Sequence, residues 1–248
     1  MNTSIQTIPL ANLTLLFAPV LLAVIILYKW SLNSRQAIYA LVRMVLQLVL
    51  VGYCLHYLFN ANNSFIIIGV LLMMVFASSW IALGVVPDAR STLYKHALLA
   101  IIVGGGLTLA VIVLGVLQLT PWYLPQYIIP LAGMVFANSM NSVSLTAERL
   151  SAEIERNVDY LQARHIALQA ALIPVINSLF AVGLVSLPGM MTGQILSGVS
   201  PLIAVRYQII VMCMLFASSV FSTAYFLILS KPFFLSKLKK TKSSRSST

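Results

Sequence analysis

The chain has 248 residues; 60% belong to the set Ala, Val, Ile, Leu, Met, Phe, Trp, Tyr and Cys, and only 8% are charged. A soluble domain would carry about 25% charged residues, so the composition excludes a soluble globular fold, a disordered chain and a secreted disulfide scaffold. The net charge of +10 is scattered over several connections and one tail, which argues against a nucleic-acid partner. The expected class is therefore an all-α integral membrane protein whose solvent is the lipid bilayer. A membrane helix needs about 20 mostly apolar residues. The apolar runs predict seven such helices, at 8–28, 36–59, 65–86, 97–119, 127–145, 166–187 and 202–229. They form one transmembrane domain over 1–230, with a charged connection at about 146–165 and a basic tail over 231–248. The first run is too long for a cleavable signal peptide and lacks a basic leader.

The connections between these spans are of two kinds. The segment before the first span and residues 60–64, 120–126 and 188–201 contain no Lys, Arg, Asp or Glu. The alternate connections, with the C-terminal tail, hold thirteen of the fifteen basic residues and all five acids. The positive-inside rule then predicts an outside N-terminus and a cytoplasmic C-terminus. Removing any one helix would break the alternation, so the charges also support the count of seven. Arg43 and Arg206 are the two basic residues inside apolar segments.

Four features are candidates for chemistry. Arg43 and Gln47 share one face of the second helix at i, i+4 spacing. An arginine at that depth either lines a protected path or snorkels to the interface. On the fifth helix, Met134, Asn138 and Asn141 form one stripe, with Met140 adjacent. Their amides either hydrogen-bond between helices or line a path together with thioether sulfurs. The segment 187–201, with Met190 and Met191, has two prolines and three glycines around a stretch too short to span. It reads as an interfacial or partly re-entrant half-helix, or else as an ordinary loop. Asn177 on the sixth helix joins the path candidates. The fourth feature is the connection with Glu148, Arg149, Glu153, Glu155, Arg156, Asp159 and Arg164. Its mixed charges at helical spacing fit a solvated helix or a docking helix for a cytosolic partner. Gly104–Gly106 reads as a close-packing site between helices.

Absences narrow the function further. No GxxxxGK[ST] motif is present, so no nucleotide is expected on this chain by that route. No Asp or Glu lies in a predicted span, which disfavours an ion-coupled secondary carrier. No paired carboxylates or Ser/His/Asp set points to an enzyme, and neither the dispersed histidines nor Cys54 and Cys213 have metal-ligand spacing. A seven-helix receptor or scaffold remains an alternative, as does the carrier.

Several segments resemble the permease subunits of Fet-type ABC transporters, associated with iron export in bacteria and aluminium tolerance in plants. Arg43-x3-Gln47-Leu48-x2-Val51-Gly52-Tyr53 is similar to that family's second-helix motif. Ile129-Pro-Leu-Ala-Gly-Met134 with Asn138-Ser-Met140 is similar to its fifth. Ala171-Leu-Ile-Pro174, the run Val182 to Gly193 and the run Ser200 to Gln208 complete the likeness. One departure is that residues 146–170 contain no glycine and are shorter than the family's loop, which carries a Leu-Gly-Ala-Thr-type segment. The resemblance implies a metal-exporting permease of the bacterial inner membrane that forms a homodimer. It implies a separate cytosolic ATPase subunit, with ATP and Mg on that partner and no cofactor on this chain. Arg43, Gln47, Met134, Asn138, Met140, Asn141, Asn177, Met190 and Met191 are then the expected path. The seven charged residues of the 146–165 connection are the expected coupling surface.

Overall fold

The structure, a computed structural model, describes residues 9–59 and 63–246, apart from the side chains at 10, 56 and 240–246. The expected start of the first span at Ile8, most of the 60–64 connection and the end of the basic tail lie outside the described residues, as do the side chains of Lys240, Lys242 and Arg245. Among the described residues seven helices are long and apolar enough to cross a membrane, and no strand is present. They are α1 (Ala11–Lys29), α2 (Ser34–Phe59), α3 (Ser64–Val85), α4 (Pro87–Val116), α5 (Pro125–Glu155) and α6 (Tyr160–Ala181), followed by α7 (Pro201–Ser246). A short helix, Gly189–Leu196, lies between α6 and α7. The protein is thus an all-α integral membrane protein.

The chain divides into two compact units. The first holds α1 and α2 with residues 196–198; its described side chains are exposed or half-buried. The second holds α3 to α7 and contains the core.

The helix bounds correct the sequence expectation in four places, each for a local physical reason. α4 starts at Pro87 rather than 97 because its charged first turn finds partners. The Arg90 guanidinium lies 3.9 Å over the Trp80 ring and donates to the Trp80 carbonyl at 2.6 and 3.1 Å. It thereby ties the start of α4 to a carbonyl in the last turns of α3.

α5 does not stop at 145. Its buried positions Ser139, Ser142, Val143, Thr146, Ala147, Leu150, Glu153 and Ile154 recur every three or four residues, so the packed stripe continues ten residues further. Asn157 ends it. Its φ of 63° is left-handed, and the Val158 and Asn157 N–H groups donate to the Glu153 and Ile154 carbonyls, the hydrogen-bond pair of a Schellman cap. Asp159 then opens α6 by accepting from the Leu161 N–H at 3.1 Å. The expected connection at 146–165 is therefore two helix ends joined by a tight turn.

α6 ends at Ala181, short of the expected 187. A turn over 182–186 follows, in which Gly183 takes φ +83° and donates to the Ser186 carbonyl. That backbone region is open to glycine and costly for other residues. α7 runs through Pro232 into the basic segment, so the expected tail continues the helix. Phe234 and Leu238 are buried there and hold it down.

Close approach between helices relies on small residues. On α6, Ala163, Ala167 and Ala171 form a buried stripe at four-residue spacing. On α4, Ile102–Gly106 is a π-helical turn. A Cβ at Gly104 would overlap the Ser222 main chain and hydroxyl of α7, and one at Gly105 would crowd Val135 and Phe136 of α5. Gly104 and Gly105 form the packing site the sequence indicated, whereas a Cβ at Gly106 would meet nothing within 4 Å.

Candidate functional site

α5 and α7 run side by side in the same direction: Asn138 meets Ser219, and Glu155 meets Lys237 farther along both helices. The ends of this bundle differ in chemistry. At one end lie the charges. Glu153, buried to 4% exposure, takes Arg149 at 2.9 Å and Arg156 at 3.4 Å. Glu155 pairs with Lys237 of α7 at 2.7 Å, and Lys237 also donates to Ser151 Oγ at 3.0 Å. Tyr160, at the start of α6, donates to the Leu227 carbonyl of α7 at 2.8 Å. These contacts tie α5, α6 and α7 together.

Midway along, Asn138 fastens α5 to α7. Its amide donates to the Leu215 carbonyl at 2.7 Å and to Ser219 Oγ at 2.6 Å, with Ser218 Oγ at 3.4 Å. One turn on, Ser142 donates to Ser219 at 2.9 Å. Amides and hydroxyls at such depth need partners because lipid supplies none. Beyond them lie hydroxyls of Ser139, Ser222 and Thr223 that are buried without a hydrogen-bond partner among the described residues.

Past this clasp the helices open into a cleft of about 470 Å³. Met134 lines it from α5, Asn177 and Ser178 from α6, and Met190 from the short helix. Gln208, Met212 and Leu215 line it from α7. Leu215 thus both borders the cleft and accepts the Asn138 amide, so the clasp is the cleft's floor. Gln208 is only 5% exposed, and its Oε1 has no partner among the described residues. Among the described residues no Asp, Glu, His, Cys, Lys or Arg lines the cleft.

The nine expected path residues scatter. Met134, Asn177 and Met190 come together in the cleft. Asn138 lies beneath it, engaged between helices. Met140 is half-buried against the core, Asn141 is exposed, and Met191 is half-buried on the short helix. Arg43 and Gln47 belong to α2 of the first unit, where both are exposed. Of the seven charged candidates, Arg149, Glu153, Glu155 and Arg156 make ion pairs and Asp159 caps α6. Glu148 and Arg164 are exposed and take part in no ion pair among the described residues. The expected half-helix within 187–201 is Gly189–Leu196.

Gln208 and Met212 were not singled out in the sequence. Their i, i+4 spacing was the available signal, hidden because both sit in an apolar run where Met reads as core filler. Among the described residues no group of three or more His, Cys, Asp or Glu could hold a metal. Cys54 and Cys213 are both free and exposed.

A bundle of long apolar helices fastened to one another by buried amides and hydroxyls belongs to the all-α integral membrane proteins. The particular family follows from comparison: residues 10–234 match the model of an uncharacterised protein family, UPF0014, and the chain belongs to it. It is 35% identical over 218 residues to the UPF0014 membrane protein slr1647 of Synechocystis, covering 81% of this chain and 84% of that one. It is 32% identical over 233 residues to the probable iron export permease protein FetB of Escherichia coli, covering 86% of both. It is 35% identical over 234 residues to the protein ALUMINUM SENSITIVE 3 of Arabidopsis thaliana, covering 88% of this chain and 84% of that one. No solved structure matches the chain.

Proposed function

We propose that this chain is the membrane permease subunit of a metal exporter, driven by a separate cytosolic ATPase subunit and working as a homodimer in the bacterial inner membrane. The observation that carries the reading is the likeness, over 86% of both chains, to a protein named a probable iron export permease. Iron is the candidate cargo on that ground. The cleft supports it by supplying a place for cargo, with Met134, Asn177 and Met190 among its walls. The charged end supports it by supplying a surface, with Glu148 and Arg164 left exposed there. With the charged end on the cytoplasmic side, closure of two ATPase subunits pushes on the α5–α6 turn. The motion then works against the Asn138 clasp under the cleft.

The test is reconstitution. The purified chain should co-isolate with an ATPase subunit encoded nearby, and ATP should drive metal across proteoliposomes. Cells lacking the protein should hold more iron under iron load, measured by elemental analysis. Unchanged metal content together with ATP-independent transport would refute the reading.

A further inference from the structure

We infer that a second pocket, between α3, α4 and α5, holds one acyl chain of a membrane phospholipid. It lies within the second unit and shares no residue with the cleft described above. The inference does not depend on the permease reading.

The walls exclude water. The pocket measures about 400 Å³ and is bordered by Leu71 of α3, Leu109 and Val113 of α4, Phe136 of α5 and Trp122 of the connection between the last two. Among the described residues no charged, amide or hydroxyl side chain borders it. An ordered water needs two or more polar partners and finds none on such walls. Left empty, the space would forfeit the dispersion contacts of its lining. It has room for on the order of a dozen water-sized groups, which suits a long alkyl chain. Irregular backbone creates it: α4 carries π-helical turns at Ile102–Gly106 and Val111–Val116, and such turns recur at functional sites. The pocket's α4 wall runs from Gly106 in the first turn to Leu114 in the second. Gly106 supplies part of the space, because a Cβ there would meet nothing within 4 Å.

Position names the occupant. Ala110 and Leu114 border the pocket and are exposed on a membrane-spanning helix, so the space is continuous with the lipid-facing surface. It starts at the uncharged connection between α4 and α5, where Trp122 is half-buried with its ring edge-on to Tyr123 at 5.7 Å. Tryptophan at the end of a span marks the depth of the lipid headgroups. From there the walls reach inward along both helices, from Leu114 to Gly106 on α4 and from Ile128 to Phe136 on α5. Each stretch covers about 12 Å of helix, close to one leaflet's half of the roughly 30 Å hydrocarbon layer. A space that begins at the headgroups, opens to lipid and runs the depth of one leaflet has the dimensions of an acyl chain, and it places the chain's ester group beside the Trp122 indole N–H. Inside, the chain packs on Phe136, the ring that a Cβ at Gly105 would crowd, so occupancy steadies the contact between α4 and α5.

Trp122 is the reporter. Trp30→Phe and Trp80→Phe leave it the sole tryptophan of the chain. The probe is a phosphatidylcholine brominated midway along one acyl chain, titrated into the full chain in detergent micelles, with indole fluorescence as the readout. Quenching should saturate at one lipid per chain, and the lipid should raise the melting temperature as a ligand of the folded state does. Gly106→Leu puts a side chain into the pocket. It should weaken lipid binding by about tenfold, the equivalent of about two lost methylene contacts, and should raise the melting temperature in the absence of lipid. Ala110→Phe fills the pocket from its exposed rim, should weaken binding to a similar extent, and decides the question alone if Gly106→Leu does not fold. Quenching that grows in proportion to lipid without saturating would overturn the proposal, as would equal saturation in the reporter chain and the folded variants. Absence of quenching in a chain that is dimeric by mass would give this face to a second copy and overturn it equally.

Discussion

At one end of α5, α6 and α7, Glu153 is buried between two arginines, Glu155 is tied to Lys237 across helices, and Tyr160 is bonded to α7. At the other end the same three helices, with the short helix and the turn before it, border a cleft that no charged residue lines among the described residues. The three helices are shared, so the difference comes from their side chains and from the added turn and short helix. The closed end spends its polar groups on one another. The cleft end leaves the Gln208 amide oxygen unpaired among the described residues, and methionines among the cleft's walls. The bundle thus keeps its paired polar groups and its unpaired ones apart along its length, with Asn138 at the boundary.

The contrast has measurable consequences for stability. The largest should come from the packing both ends depend on. Gly104→Val places atoms on the Ser222 main chain, and a loss of about 3 kcal/mol is expected, seen as a lower melting temperature in micelles. Near-normal melting would mean that α4 is not seated as described. Next is Glu153→Leu, which strips a buried acceptor from two arginines; because both arginines reach water, the loss should be about 2 kcal/mol. Asn138→Leu removes the boundary clasp and should cost about 1 kcal/mol, in the range of hydrogen bonds between membrane helices. If Asn138→Leu proved more damaging than Glu153→Leu, the clasp rather than the charged end would be the main fastening.

The smallest effect belongs to the exposed Glu155–Lys237 pair. Glu155→Gln should change stability at neutral pH by less than about 0.5 kcal/mol, read from the melting temperature in micelles. A larger loss at neutral pH would show that Lys237 depends on Glu155 for more than a surface pair.

The sequence held much of this architecture, though unevenly. Seven spans were legible because lipid demands long apolar runs, and the Gly104 and Gly105 packing site because glycines clustered in a span have few other uses; that Gly106 faces open space was not legible. The extension of α5 past 145 was not, because charges fill its outer face while the buried stripe through Leu150 and Ile154 persists beneath them. Local signals for its end were nonetheless present, in Asn157 before the Asp159 cap. Within the site, Met134, Asn177 and Met190 could be proposed one by one as odd residues in apolar surroundings. Their meeting depends on the turn at 182–188 folding the short helix back, which no periodicity in the sequence encodes. Glu153 shows the converse: it read as a solvated charge because burial inside an ion triad leaves no mark on composition.

α7 is unbroken from Pro201 to Ser246, a rod of about 70 Å at 1.5 Å per residue, more than twice the roughly 30 Å thickness of the hydrocarbon layer. Gln208 and Lys237 sit on opposite sides of its fastening to Asn138. Past that fastening the arm is held again, by Tyr160 at the Leu227 carbonyl, by Glu155 at Lys237 and by the buried Phe234 and Leu238. One continuous helix therefore joins the charged end to the cleft wall, so the two ends share a single rigid element rather than a chain of separate contacts.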